Sequence, residues 1–168
     1  QPDRIEEAES ILDAAGFLRL GKYPPEFYRD HHHCEPRTLP DRPSVMIDLH
    51  WSPVKAPHPF HLDLEGLWSR AIPLEEHEDC LERLDDLDFT IHLAMQLDHD
   101  DVYSGRVRSL SEMLALAHYR RLDGRSLSAR SRELGAAEAL ARSFGLASRL
   151  LGVAGPLGLP VTQGPPGL

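Results

Sequence analysis

Residues 45–51 read Val-Met-Ile-Asp-Leu-His-Trp, and the segment alternates. Val45, Ile47, Leu49 and Trp51 fall on one face of a predicted β-strand, and Met46, Asp48 and His50 on the other. The first face suits a core. The second sets a carboxylate and an imidazole side by side, two residues apart. Upstream, Ile5, Ala8, Ile11, Leu12 and Ala15 recur at helical spacing and predict a helix over 3–15. Asp3 is its expected N-cap, with Glu6 three residues later as in a capping box, and Gly16 its stop. A short strand follows at 17–20. A helix running directly into a strand is the second half of a β-α-β unit, whose first strand would lie upstream of Gln1. Pro24, Pro25, Pro36, Pro40 and Pro43 break up residues 21–43. Within them, 27–34 reads as a strand able to pair with the Asp48 strand across a turn at 39–43. Residues 52–61 form a proline-rich loop.

From Asp63 the period changes from 2 to 3.6. Asp63 caps a short helix to about residue 71, and 74–84 reads as helical in part. A longer helix runs from Asp85 or Asp86 to about 98, the next from 106 to 122, stopped by Asp123-Gly124. Another starts at Ser126 or Ser128 and ends near Gly135, and the last covers 136–151. Short connections imply antiparallel neighbours. The expected fold class is therefore α+β. Residues 1–62 form an α/β layer of mixed sheet and packed helix, 63–152 a helical bundle, and 153–168 a disordered tail rich in Gly and Pro.

The composition narrows the function. With 27 acids against 18 bases the formal net charge is -9. Such a surface repels phosphate backbones and argues against a nucleic-acid-coating role. It leaves room for a small nucleotide bound with Mg²⁺. Cys34 and Cys80 are the only cysteines, which suits a reducing, cytoplasmic setting. No apolar run is long enough to predict a transmembrane helix.

Asp48 is the leading candidate for chemistry, as a metal-binding or proton-accepting carboxylate held between aliphatics. Strand interiors disfavour Asp unless it has a task there; the bland alternative is a solvated edge-strand Asp. His50 shares its face and is suited to orienting Asp48, contacting a phosphate or capping the sheet edge. The run His31-His32-His33-Cys34, with His50, His58 and His61, offers zinc donors, but neighbours on an extended chain point apart and no zinc-finger spacing is present. A polar strand face near a ligand pocket fits that run better. Asp98, His99, Asp100 and Asp101 read as a solvated helix-end turn. No phosphate-cradling Gly-rich loop, G-x-S-x-G elbow or H-E-x-x-H occurs.

The order of a helix ending in Ala-Gly-Phe, a Pro-rich segment with His31-His32-His33, the strand Ile47-Asp48-Leu49-His50-Trp51, Leu67-Trp68, and the helical region from Asp85 to His99 resembles an uncharacterised bacterial nucleotidyltransferase-like family. That family belongs to the polymerase-beta-type nucleotidyltransferase superfamily. The resemblance implies Mg²⁺-dependent transfer of a nucleoside monophosphate from a nucleoside triphosphate to an acceptor, either a small molecule or a protein. It assigns Asp48 to the third metal-binding acid and His50 to its support. The two acids that would hold most of the metal belong on a strand before the 3–15 helix, upstream of Gln1, so this chain is expected to be inactive alone. The competing reading is a non-catalytic binding module. An acidic pair upstream separates the two.

Overall fold

The computed structural model describes residues 4–29, 33–74, 81–99 and 107–152. Asp3, His31, His32, Cys80, Asp100, Asp101 and the expected tail at 153–168 lie outside them. The architecture is α+β: helices with small antiparallel sheets, and a helical C-terminal region. It divides into two compact units, one ending at Pro57 and the other beginning at His58.

In the first unit, helix α1 spans Ile5–Ala14. Its end is a Schellman motif. Phe17 N–H donates to Leu12 O at 3.0 Å and Gly16 N–H to Asp13 O at 3.1 Å, with Gly16 at φ 85°. The chain then enters β1 (Leu18–Arg19), a one-turn helix α2 (Pro25–Arg29), β2 (Arg37–Leu39) and β3 (Arg42–Ile47). The sheet order is β1-β2-β3, antiparallel throughout. Leu39 pairs with Arg42, so Pro40-Asp41 makes the expected turn. The strand expected at 27–34 does not form as such. Pro25 opens a helix instead, because its fixed φ and missing N–H suit the first helical position. Of the pairing expected for that segment, the described residues show His33 bridged to His50.

The apolar faces are less buried than the alternation implies. No residue of α1 is buried, and Ile11 is 60% exposed. Val45 and Met46 are exposed, while Ile47, Leu49 and Trp51 are half-buried. A three-stranded sheet with short strands and β3 on its edge has little apolar surface to close over. Charge holds the helix to the sheet instead. The fully buried Arg37, on the central strand, donates to Glu9 at 2.9 Å and to Asp13, one helical turn apart on α1. Arg19 adds a 3.0 Å bond to Asp13.

The second unit starts with α3 (Leu64–Ser69), capped by Asp63, whose carboxylate accepts from Gly66 N–H at 2.9 Å. Strands β4 (Ile72–Pro73) and β5 (Glu82–Arg83) pair antiparallel; residues 75–80 of the stretch expected to be partly helical lie outside the described residues. Leu74 N–H continues the pairing by donating to Leu81 O at 2.9 Å. Four helices follow: α4 (Asp86–His99), α5 (Val107–Tyr119), α6 (Gly124–Glu133) and α7 (Ala137–Leu151). Helix α4 packs on α5, α6 and α7. The core is Ile91, Ala94, Met95 and Leu97 against Leu110, Met113, Leu127, Leu140 and Phe144, all buried. Helix α6 starts earlier than Ser126, because Asp123 takes both the N–H and the hydroxyl of Ser126, each at 2.9 Å. Helices α5 and α6 both close in Schellman motifs. Gly135 occupies the left-handed position after α6, but Arg121 (φ 51°) occupies it after α5.

Candidate functional site

Strand β3 ends at Ile47, and the chain stays beside its neighbour for three more residues. Cys34 N–H donates to Leu49 O at 2.7 Å, and His33 pairs with His50. Residues 34–36 separate His33 from Arg37, whereas only 48 and 49 separate Ile47 from His50. The extra residue is a bulge-like irregularity, a device that re-aims side chains. Here it brings the Asp48 carboxylate to an imidazole on each side. Oδ1 lies 3.3 Å from His33 Nδ1, and Oδ2 lies 3.2 Å from His50 Nε2. The two rings are 5.4 Å apart.

The hydrogen-bonding roles follow from the partners. His33 Nδ1 is also 2.8 Å from Cys34 O. A carbonyl only accepts, so Nδ1 carries the proton and gives it to Cys34 O, with Asp48 Oδ1 close by. His50 Nε2 lies at ion-pair distance on the other side of the carboxylate. Each carboxylate oxygen keeps further lone-pair capacity. The cluster is open to solvent, with side-chain exposures of 37% for Asp48, 43% for His50 and 22% for His33. Behind it, Tyr28 sets its ring edge against His33 at 5.4 Å. Tyr28 is buried, and its hydroxyl accepts from Lys22 N–H at 2.9 Å, so the wall behind His33 is fixed. Tyr23 and Phe27 extend the ring contacts toward solvent.

The sequence pairs Asp48 with His50, and the structure adds His33. His58 and His61 lie in the other unit, where His58 stacks on Phe60 with centroids 5.9 Å apart. Asp98 is held by Arg142 through two bonds of 2.6 and 2.7 Å, which makes it a structural partner. Among the described residues, no three His, Cys, Asp or Glu side chains converge as a metal site. These residues alone therefore do not form a complete Mg²⁺ site, although Asp48 offers the kind of oxygen Mg²⁺ takes.

Two buried charges escape a sequence reading. Arg37 is one. A signal for it existed in Glu9 and Asp13, a carboxylate pair one turn apart on α1 that calls for a cation. Arg19 first, then Arg37, holds the Asp13 carboxyl below its ordinary range. The other is Asp88 in α4, which receives Arg70 at 2.8 Å and Arg130 at 2.8 Å. Burial pushes its carboxyl upward, opposed by the bond from Arg70. Its partners lie 18 and 42 residues away, so no local pattern reveals them.

A family model described as an uncharacterised nucleotidyltransferase matches residues 1–152. The match spans both units, and the chain belongs to that family. No curated protein and no solved structure shows a significant match to it.

Proposed function

We propose that the chain serves Mg²⁺-dependent transfer of a nucleoside monophosphate from a nucleoside triphosphate to an acceptor hydroxyl. The observation that carries this reading is the Asp48 carboxylate held between His33 and His50, in a chain that belongs to a nucleotidyltransferase family. Asp48 accepts the acceptor's hydroxyl proton. The freed oxygen bonds to the α-phosphorus, the bond from that phosphorus to the bridging oxygen breaks, and pyrophosphate leaves. His33 and His50 are positioning residues whose imidazoles flank the carboxylate at 3.3 and 3.2 Å. When bound, Mg²⁺ neutralises charge on the phosphates. Two-metal transfer uses several carboxylates, so its remaining ligands come from outside the described residues. No described helix is long and apolar enough to cross a membrane. The reading places the protein in the cytoplasm, where its buried Cys34 thiol stays reduced.

One observation favours a non-catalytic binding module: among the described residues, Asp48 has imidazole neighbours and no second carboxylate to complete a metal site. Incubating the full-length gene product with Mg²⁺ and each α-labelled nucleoside triphosphate decides between them. Pyrophosphate release with label on an acceptor supports transfer. Triphosphate binding without release in every case supports the binding module.

A further inference from the structure

The second unit concentrates positive charge within an acidic chain. Residues 118–133 hold five arginines against two acids, Asp123 and Glu133, although the chain carries -9 overall. Two of the arginines are committed. Arg120 lies 3.5 Å from Asp86, and Arg130 binds Asp88 and Glu133. Arg121, Arg125 and Arg132 are exposed and form no ion pair among the described residues. Asp123 is occupied in capping α6.

Arg125, Ala129 and Arg132 share one exposed face of α6. Seven residues at 1.5 Å each separate the outer two by about 10 Å, too far for one phosphate to satisfy both. A ligand that engages this face carries several anionic groups in a row. Tyr119, 82% exposed, ends α5 two residues before Arg121, with its ring edge-on to His118 at 5.9 Å. The position of Arg121 is a second, independent observation. Helices α1 and α6 close the same motif with Gly16 and Gly135, the residue that adopts positive φ without strain. Helix α5 places an arginine there, and strain at such a position accompanies function when the side chain is used. The overall charge does not cancel the patch, because charges beyond a Debye length of about 8 Å are screened in physiological salt.

We propose that the corner between α5 and α6, with the exposed face of α6, binds the phosphodiester backbone of a single-stranded nucleic acid, Tyr119 stacking on a base. The arginines supply fork-shaped donors for successive phosphates. The exposed ring distinguishes such a strand from an acidic peptide. The surface belongs to the second unit and the Asp48 cluster to the first, and binding here does not depend on the transfer reaction.

The test is fluorescence anisotropy of the full chain with a labelled 12-nucleotide oligoribonucleotide, titrated at several salt concentrations. Three phosphate contacts predict a slope of log K against log salt of about -2, at roughly 0.7 per contact. Arg125→Ser with Arg132→Ser should flatten it to about -0.7, the single remaining contact. Arg121→Gly should raise the melting temperature while removing one contact. Tyr119→Ala should weaken binding about tenfold. Absence of binding at low salt overturns the proposal, as does an unchanged slope in the double variant. Binding of a hepta-glutamate peptide or of phosphatidylserine vesicles as strong as that of the oligonucleotide, with the same arginine dependence and no effect of Tyr119→Ala, also overturns it.

Discussion

Replacing Arg37 by Met removes the guanidinium that ties α1 to the central strand and keeps an unbranched stem of similar length. The Arg37 side chain is 1% exposed, that of Glu9 16% and that of Asp13 46%. Glu9 suffers most, because its remaining cation, Arg19, lies 3.8 Å away. Stranding a largely buried carboxylate costs about 3 kcal/mol. Asp13 keeps its 3.0 Å bond to Arg19 and is half exposed, so it loses little. One term runs the other way. Arg37 Nε is buried without a hydrogen-bond partner, and removing it returns about 1–2 kcal/mol of desolvation cost. The expected net destabilisation of the first unit is about 2 kcal/mol. Trp51 belongs to that unit and Trp68 to the other, so urea titration of Trp51 emission in a Trp68→Phe background reads the first unit. The midpoint should fall by roughly 1–2 M. Glu9→Gln added to Arg37→Met should restore part of the loss, because the stranded charge is gone. A midpoint unchanged by Arg37→Met would refute the claim that this charge attaches the helix.

Other predictions follow from the same geometry. Asp13 has a folded pKa below its ordinary value, so its contribution is full above about pH 4 and lost as pH falls through the folded value. The Trp51 midpoint should therefore drop as pH falls below about 4, and Arg19→Gln should flatten that drop, since Arg19 is the main cause. Asp88→Ala should destabilise the second unit by about 3–5 kcal/mol, read through Trp68 emission, because two guanidiniums lose a buried partner. Arg121→Gly should raise the stability of the second unit by about 1 kcal/mol in the same titration, since glycine takes the left-handed conformation without strain.

The helical region was legible because its signals are local. Helical period marks α4, α5 and α7, and Asp63 caps α3 as its position implies. The Pro40-Asp41 turn and the shared face of Asp48 and His50 also follow from neighbouring residues. Elements that depend on distant partners were not legible. The place of His33 beside Asp48 rests on one extra residue between His33 and Arg37, which no periodicity reports. Residues 27–34 look extended, yet Pro25 starts a helical turn in that stretch. The face of Val45, Ile47 and Leu49 has core-like alternation, but how deeply it is buried depends on what covers it, and here the cover is thin. Arg37 and Asp88 read as ordinary surface charges until the fold closes around them.

In the proposed reaction Asp48, flanked by His33 and His50, takes the acceptor proton during nucleotidyl transfer. Single-turnover transfer by the full-length gene product, at saturating triphosphate and Mg²⁺, tests it most directly by comparing wild type with Asp48→Asn. The account predicts a rate at least about 100-fold lower in the variant, with an unchanged melting temperature. His33→Gln and His50→Gln should each give a smaller loss. An Asp48→Asn protein that transfers at the wild-type rate would contradict the account and leave the His33–Asp48–His50 cluster a structural feature of the sheet edge.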